Sequence, residues 1–273
     1  MDILILCAPE PNYIQFLPKT IASLKKQLIV DNQNYLIVTP EYIPLEENTI
    51  QMSEWDLIEK IPGLTSKHIK ILESQPWILQ QIIKLVFWEL YKTPGYLVVD
   101  VDLILLGMFT PTFNTNSQNF ILSPKRLKNH RDSYSPMLRS LFGFGCNPFV
   151  SFITEIVFFD TNILKEIKVE LETKFNQYWI CTILDWIYNN SNNDFPLSEY
   201  ELYGNWIGNR RPGHINEVYD RKWKTSPKLV QFLSPTTSLE ELEQWFIKNH
   251  PEIKEDPKYP WIGYVDLKYN MPV

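Results

Sequence analysis

The sequence predicts an α/β fold built on a mainly parallel sheet. Apolar strand-like segments alternate with longer helix-like segments as far as Leu106. This order needs crossover connections, which are right-handed and place successive strands in parallel. Hydrophobic residues make up 44% of the 273 residues and aromatic residues 14%, enough for a large core that needs no disulfides. We therefore expect one domain over residues 1–273, regular at 1–110 and irregular at 111–273.

Prolines and glycines separate the predicted elements of the regular half. Ser74 is a good N-cap, and with Pro76 in the first turn it opens the longest helix. Thr93-Pro94-Gly95 ends that helix. In order, the prediction is a strand, a helix, a strand, a loop with a short helix near Trp55, a helix and a strand: Asp2–Cys7, Tyr13–Lys26, Tyr35–Thr39, Glu41–Gly63, Ser74–Tyr91 and Tyr96–Leu106.

The second half has a weaker pattern. Its last helix has acids in the first turn and Lys248 in the last turn, an arrangement that the helix dipole favours. The predicted strands are Phe120–Leu122 and Phe149–Phe159, the helices are Asn162–Phe175, Tyr178–Tyr188 and Ser238–Asn249, and the loops are Ser191–Asp194 and Asn209–His214. No repeat or linker interrupts this half, so we expect it to belong to the same compact domain.

Composition and charge exclude several classes of protein. The three cysteines, Cys7, Cys146 and Cys181, form no C-x-x-C pair, which argues against a disulfide framework or a zinc site and for a reducing compartment. The net charge of −6 gives no basic surface for nucleic acid. No apolar stretch approaches the roughly 18 residues of a membrane span, and Ile3–Ala8 is too short for a signal peptide. We expect a cytoplasmic protein without a transmembrane segment, and peripheral contact with a membrane stays open.

The most informative segment is Tyr96–Leu106, an apolar run with two acids at its centre. Residues i and i+2 of a strand point to the same face, so Asp100 and Asp102 are predicted to project together. Neighbouring carboxylates in an apolar element repel each other unless a cation or hydrogen-bond donors lie between them. Mg²⁺ and Mn²⁺ suit such oxygen ligands and bind them together with substrate phosphates. The alternative is a strand that ends at Val99, followed by an ordinary solvated turn.

Several other chemistries have no support in the sequence. The chain lacks the P-loop and dinucleotide-binding glycine patterns and the G-x-S-x-G nucleophile elbow. The nearest rival is a D-x-D phosphatase, in which an aspartyl nucleophile follows a strand. That signature belongs on the first strand and continues into Thr or Val. Here the pair lies on about the third predicted strand and continues into Leu103.

A second segment, Ser198–Trp206, combines acids with aromatic rings. Ser198 and Glu201 are spaced as a capping box, which gives Glu201 a structural explanation. Glu199 lies in the same first turn, where amide dipoles stabilise a carboxylate. A carboxylate there that faces a cleft suits a general base for a hydroxyl. Three rings offer flat faces for stacking on sugars: Tyr200, Tyr203 and Trp206. An ordinary surface helix is the alternative.

Together these segments resemble the GT-A glycosyltransferases, and in particular the DUF6492-like branch. The resemblance covers roughly residues 1–215 and rests on Trp77–Leu85, Tyr96–Asp102, Thr154–Asp160 and Ser198–Asn205. The D-x-D pair is weakly specific alone, but its order and spacing with S-E-Y-x-x-Y-G are fairly specific. This chain departs from the pattern in one place, because Ile156-Val157 stands where relatives are expected to carry a histidine.

The resemblance implies a GT-A fold with a nucleotide-binding half at 1–110 and an acceptor-binding half at 111–273. It also implies a nucleotide-sugar donor, a Mn²⁺ or Mg²⁺ ion held by Asp100 and Asp102, and transfer to an acceptor hydroxyl. His214 is the candidate for a further metal ligand, since GT-A enzymes often take one from a late histidine. A structural or surface histidine is the alternative.

Four other side chains are candidates for binding the donor. Gln80 and Lys84 are i and i+4 on one helix face, and Lys84 would neutralise the diphosphate or bind the sugar. The alternative is a lysine whose stem lies along the core while its ammonium reaches water. Arg210 and Arg211 would approach the leaving diphosphate from a mobile loop and offer bidentate donors where charge develops.

The predicted function is therefore a metal-dependent glycosyltransferase, either a hexosyl- or a pentosyltransferase, acting in the cytosol on a glycan or a lipid-linked acceptor. Inversion with Glu199 as the base is favoured because the chain offers one uncommitted carboxylate at a helix start. The non-enzyme alternative is a degenerate relative that binds a sugar or a partner without turnover. The presence of Asp100, Asp102 and Glu199 argues against that alternative.

Overall fold

The structure is a computed structural model. It describes residues 1–8, 11–40, 42–44, 49–105, 113–114, 119–120, 125–126, 133–153, 156–190, 196–215, 224–225, 237–249 and 262–264. In chain order its elements are β1 (Asp2–Leu6), α1 (Pro11–Gln27), β2 (Asn34–Thr39), β3 (Thr49–Ser53), α2 (Glu54–Ile58), α3 (Ser66–Ser74), α4 (Pro76–Tyr91), β4 (Gly95–Asp100), β5 (Leu103–Leu105), β6 (Phe113–Asn114), β7 (Asn119–Phe120), β8 (Lys125–Arg126), α5 (Ser135–Phe142), β9 (Val150–Ser151), β10 (Ile156–Asp160), α6 (Thr161–Phe175), α7 (Trp179–Asn189), α8 (Glu199–Arg210), a 3₁₀ turn (Pro212–His214), β11 (Lys224–Thr225), α9 (Leu239–Asn249) and β12 (Ile262–Tyr264).

The main sheet has five strands in the order β10-β4-β1-β2-β3. β1 runs parallel to β2, and β2 runs parallel to β3. Ile3, Leu4 and Ile5 of β1 have no exposed surface, as expected for a parallel strand that is covered on both faces. The predicted α/β fold with a mainly parallel sheet is therefore confirmed.

The chain divides into two compact units. Unit 1 contains Met1–Ser53, Val99–Pro111 and Lys222–Val273, and unit 2 contains Glu54–Val98 and Thr112–Arg221. Each unit takes residues from both of the halves at 1–110 and 111–273. The assignment of nucleotide and acceptor binding to those halves stays a prediction.

Unit 1 contains a second, smaller sheet in the order β11-β12-β5. In this sheet β12 is antiparallel to β5 and parallel to β11. Helix α1 lies against the segment that includes β5, because the buried hydroxyls of Thr20 and Ser23 bond the backbone at Val101 and Leu105. These bonds fix the turn between β4 and β5 to the helix.

Unit 2 is built round α4, which has buried residues on every side and contacts α2, α3 and α8. Glu89, near its end, accepts hydrogen bonds from Tyr178 at 2.9 Å and Trp179 at 2.8 Å, and it pairs with Lys168. Burial, together with the charge of Glu89, raises the pKa of Tyr178. A polar cluster of this kind fixes the position of a helix whose apolar surface alone would allow several packings.

Two strands were predicted as continuous but are interrupted. Tyr96–Leu106 forms β4 and β5, separated by a turn at Val101 and Asp102, and the two strands belong to different sheets. Phe149–Phe159 forms β9 and β10, with residues 152–153 outside both strands and residues 154–155 outside the described part. An apolar composition indicates that a segment is buried, but it does not show where the chain changes direction. This explains why both strands were predicted as continuous.

The predicted loop at 41–63 contains strand β3, which sequence analysis missed. β3 lies at the edge of the sheet beside β2, and its residues are mostly half-exposed. An edge strand of this kind lacks the apolar run that identifies a central strand. Of the predicted strand Phe120–Leu122, Phe120 lies in β7 and residues 121–122 are outside the described part, as is the predicted loop 191–194.

Most helices agree with prediction within a few residues, but two details of the sequence interpretation are wrong. Ser74 does not cap α4. It ends the unpredicted helix α3, its hydroxyl donates to the carbonyl of Ile71, and Gln75 occupies the N-cap of α4. The predicted loop Asn209–His214 is instead the end of α8 followed by the 3₁₀ turn. Helix α5 was also missed.

No helix among the described residues is long and apolar enough to cross a bilayer. In the part of the chain that the structure describes, Cys7, Cys146 and Cys181 form no disulfide bond. Burial raises the pKa of the Cys181 thiol, and the nearby Asp185 carboxylate adds to the effect. A raised pKa makes this thiol a poor nucleophile.

Candidate active site

The candidate site of unit 1 is the acidic turn, defined as Asp100 to Asp102. Asp100 is the last residue of β4 and is half-buried, while the side chain of Asp102 lies in the turn and only 5% of the residue is exposed. The hydroxyl of Thr20 donates to the carbonyl of Val101. The turn is therefore held by α1 and places an almost buried carboxylate just beyond the end of a sheet strand.

The strand geometry that we predicted for the two acids is wrong. Because β4 ends at Asp100, the two side chains do not follow the alternation of one continuous strand. The solvated turn that we considered as the alternative is also not what forms, since Asp102 is nearly buried. A buried carboxylate is unfavourable unless charge or hydrogen bonds compensate for its lost hydration.

The donor set of the acidic turn fits a divalent cation that completes its shell with phosphate oxygens. Mg²⁺ is usually bound by one or two carboxylates together with substrate phosphates and water. Within the described ranges, no group of three or more His, Cys, Asp or Glu side chains converges as a metal site. The role of His214 as a third ligand stays a prediction.

The candidate site of unit 2 is the start of α8. Ser198 is the N-cap, and its hydroxyl accepts the backbone N–H of Glu201 at 3.2 Å. Glu199 Oε1 lies 2.9 Å from Lys84 Nζ, and their side chains are only 4% and 11% exposed. Lys84 also donates to the hydroxyl of Tyr200 at 3.0 Å and lies 4.6 Å from the centre of that ring. The structure thus joins two of the predicted site residues in a buried ion pair.

Gln81 completes this polar group, and sequence analysis did not select it. Its Oε1 accepts the backbone N–H of Glu199 at 3.1 Å, and the residue is 2% exposed. Gln80, which we selected, is half-buried on α4, and its role in donor binding stays a prediction. The spacing of Gln81 from Ile78 and Leu85 could have shown that it lies on the buried face of the helix, since i+3 and i+4 neighbours share a helix face.

Glu201 has a larger structural role than the predicted capping box gave it. Its Oε1 accepts hydrogen bonds from the hydroxyl of Ser151 and from the backbone N–H of Phe152, the latter at 3.2 Å. Its Oε2 accepts from Asn205 Nδ2 at 2.7 Å. The carboxylate therefore anchors the segment after β9 to α8, and replacing it is expected to disturb the fold.

The three aromatic side chains predicted to stack on an acceptor sugar are packed inside unit 2. Tyr200, Tyr203 and Trp206 are 5%, 2% and 3% exposed. The hydroxyl of Tyr203 accepts the backbone N–H of Asp160 at 2.8 Å, and burial raises its pKa. Trp206 Nε1 donates to Glu170 at 2.8 Å. Stacking on a sugar needs an open ring face, so their burial gives the predicted acceptor-binding role no support.

Arg210 and Arg211 lie at the end of α8 and not on a loop, as we had predicted. Arg210 Nη2 lies 2.7 Å from Glu170 Oε1, and Arg211 Nη2 lies 3.0 Å from Glu166 Oε2. Both arginine side chains are close to half-exposed. They therefore belong to surface ion pairs with α6, and their contact with a diphosphate stays a prediction.

The acids of α8 also act on Tyr134. Its pKa is raised to about 12 by burial and by the charges of Glu201 and Glu199. Two carboxylates thus act on one partly buried ring, and the ammonium group of Lys84 lies on one of them.

The chain is similar to known proteins in its sequence family and in its fold. A family model described as "Family of unknown function (DUF6492)" matches residues 17–252. Among solved structures, an active-site mutant of LgtC has a TM-score of 0.52 and 11% sequence identity, covering 97% of this chain and 87% of that one. The apo form of mouse xyloside xylosyltransferase 1 has a TM-score of 0.50 and 11% identity, covering 100% of both chains.

At this level of identity the structural likeness shows the fold alone. That fold is the GT-A fold of glycosyltransferases, as the sequence resemblance implied. A comparison with curated proteins gives no match.

Proposed function

Because the chain belongs to the DUF6492 family and has a GT-A fold, we propose that it is a metal-dependent glycosyltransferase of the cytosol. It moves a sugar from a nucleotide-sugar donor to a hydroxyl of a glycan or lipid-linked acceptor. The acidic turn is the observation that carries this proposal. In open α/β sheets, ligands bind beyond the carboxyl ends of the strands, and β4 ends at Asp100.

Asp100 and Asp102 are the residues that would hold Mn²⁺ or Mg²⁺. When bound, the ion would neutralise the negative charge of the leaving nucleoside diphosphate. The protein itself fixes the positions of the two carboxylates. The hydroxyls of Thr20 and Ser23 contribute by holding the backbone around them. The near burial of Asp102 strengthens its attraction for a cation, because screening by water is weaker there.

Glu199 is the proposed general base. The ion pair with Lys84 uses Oε1, and we assign the acceptor hydroxyl to Oε2. A carboxylate has lone pairs on both oxygens, so one can hold a cation while the other accepts a proton. A base on the acceptor side, with in-line displacement of the diphosphate, gives inversion at the anomeric carbon.

Arg210 and Arg211 are proposed to contact the diphosphate after leaving their glutamate partners. Exposed ion pairs contribute only about 0–1 kcal/mol, so such an exchange costs little. Lys84 is almost buried and ion-paired, which favours a role in fixing Glu199 over direct contact with the diphosphate. The role of Gln80 in donor binding remains part of the proposal.

The test is consumption of nucleotide sugars with Mn²⁺, measured by chromatography of the released nucleoside diphosphate with and without added acceptors. Glu199→Gln should lower kcat by about 10²–10⁴ if Glu199 is the base. Glu73→Gln, an exposed change on α3 in unit 2, is the control, because Glu201 is almost wholly buried and anchors the fold. Metal-dependent binding without turnover of any donor would favour the non-catalytic sugar-binding alternative, and equal turnover by the two variants would exclude Glu199 as the base.

A further inference from the structure

We propose that Gln81 is a specificity-determining residue whose side-chain amide donates a hydrogen bond to a hydroxyl of a bound sugar at the start of α8. The proposal rests on the function proposed above, because it names a residue that recognises the sugar in the same enzyme. Gln81 is distinct from its neighbour Gln80, whose proposed role is in donor binding.

The orientation of the Gln81 amide is fixed by a backbone bond. Oε1 accepts the N–H of Glu199 at 3.1 Å. The reverse orientation would place two donors against each other, so the amide cannot be turned over without losing this bond. Nε2 is therefore held beside the start of α8 with its two N–H groups directed elsewhere.

Nε2 is a buried donor for which the described residues supply no acceptor. Such a group is unfavourable, because its hydrogen bonds to water are lost and nothing replaces them. A ligand oxygen that reaches Nε2 removes this penalty. Its hydrogen bond therefore contributes more to the binding free energy than a bond to an exposed donor would. The atom is shielded from solvent, so the contact forms on binding together with a local shift of side chains.

The surrounding charges select the chemistry of that oxygen. The backbone N–H of Glu199 is bonded to Gln81, and the Glu199 carboxylate already holds the ammonium group of Lys84. A phosphate or carboxylate oxygen would bring a second negative charge close to that carboxylate and is disfavoured. A neutral hydroxyl suits the place, because its oxygen accepts from Gln81 while its proton is donated to a carboxylate such as Glu199.

A sugar is the ligand class that follows from these requirements. It supplies neutral hydroxyls that both donate and accept, and a site with a buried partner for one hydroxyl rejects analogues that lack it. A single buried water has the same hydrogen-bonding chemistry. An experiment must therefore separate a sugar from a water molecule.

The experiment is saturation-transfer NMR with free glucose, galactose, mannose, xylose and N-acetylglucosamine, without metal or nucleotide. Gln81→Glu keeps the acceptor for the Glu199 N–H but removes both donors, and Gln75→Glu is the control with the same charge change at an exposed position before α4. We expect at least one sugar to bind the native protein and Gln75→Glu alike, and to bind Gln81→Glu about tenfold more weakly. If Gln81→Glu does not fold, as judged by circular dichroism, Gln81→Met and Gln75→Met provide the same comparison.

Equal sugar binding by the Gln81 and Gln75 variants would overturn the inference and leave a buried water as the partner of Nε2. Absence of binding of every sugar to the native protein would overturn it as well. Metal-dependent binding of the common nucleoside diphosphates to Gln81→Glu, measured in parallel, separates this failure from that of the proposed function. If one of them still binds while the sugar result is negative, only the role of Gln81 is wrong.

Discussion

Lys84 on α4 and Glu199 at the start of α8 form an ion pair with 2.9 Å between Nζ and Oε1, and both side chains are almost wholly buried. The pair connects two helices of unit 2 that are far apart in sequence. Removing one member of such a pair leaves an uncompensated buried charge, whereas removing both members does not. The pair is therefore a specific link in the fold as well as part of the candidate site.

The first prediction concerns the strength of this link. Lys84→Met should lower the free energy of unfolding by about 3–5 kcal/mol, since Glu199 would remain buried and charged. The double variant Lys84→Met with Glu199→Gln should recover a large part of that loss. Lys70→Met on α3, at an exposed position, is the control and should change stability by less than about 0.5 kcal/mol. Urea denaturation measures the native protein, the single variants Lys84→Met and Glu199→Gln, the double variant and the control, and strict additivity of the single changes would contradict the coupling.

The second prediction concerns Gly204 on α8. A Cβ atom there would lie 1.9 Å from Cγ of Phe152, so Gly204→Ala forces the ring or the helix to move. We expect a loss of about 1–3 kcal/mol or more in the free energy of unfolding. Gly208→Ala on the same helix is the matched control, because its Cβ would meet only the end of the Ile215 side chain at 3.3 Å. A loss from Gly208→Ala as large as that from Gly204→Ala would contradict the packing argument.

The third prediction concerns pH and the carboxylate of Asp185. Burial by itself would raise its pKa, but hydrogen bonds from Lys67, His68 and Gln177 outweigh burial and hold the pKa below the ordinary value of 3.8. A lowered folded-state pKa means that Asp185 stabilises the protein above pH 3.8. This stabilisation is lost as the pH falls through the lower, folded-state value.

Asp185→Asn should therefore reduce the free energy of unfolding at pH 6 by about 1–2 kcal/mol, and the difference from the native protein should shrink below pH 3.8. Asp56→Asn, at an exposed position of α2, is the control. Denaturation curves at a series of pH values provide the measurement. A difference that grows on acidification would show that the sign is wrong.

The fourth prediction concerns stereochemistry. If Glu199 removes the acceptor proton while the diphosphate leaves in line, the anomeric configuration of the product is opposite to that of the donor. Proton NMR of the new linkage, compared with that of the donor sugar, gives the answer directly. A retained configuration would remove Glu199 from the role of base and return it to a structural or sugar-binding role.

The α/β fold could be predicted from the sequence, and the reasons are physical. Pro76 at the start of a long apolar run identifies α4, and apolar β-branched residues identify β4. These signals are local, so one sequence is sufficient to show them. The break of the strand after Asp100 was not predictable, because it depends on bonds from Thr20 and Ser23 on a distant helix.

The errors at α8 and α4 have a common cause. Tyr200, Tyr203 and Trp206 have polar neighbours in sequence, and this pattern suggested an exposed helix, yet other elements of unit 2 cover them. On α4 nearly every side is apolar and buried. Periodicity therefore could not show that Gln81 rather than Gln80 contacts Glu199, since that contact depends on where α8 packs.

The acidic turn as a metal site is the central claim, and calorimetry of nucleoside diphosphate binding tests it most directly. Each common nucleoside diphosphate is titrated into the native protein with Mn²⁺ and again with a chelator. We expect one of them to bind with Mn²⁺, to lose most of its affinity in chelator, and to bind Asp102→Asn at least about tenfold more weakly. Asp31→Asn, an exposed change in unit 1, should bind as the native protein does. If neither the chelator nor Asp102→Asn lowers the affinity for any nucleoside diphosphate, the account is contradicted.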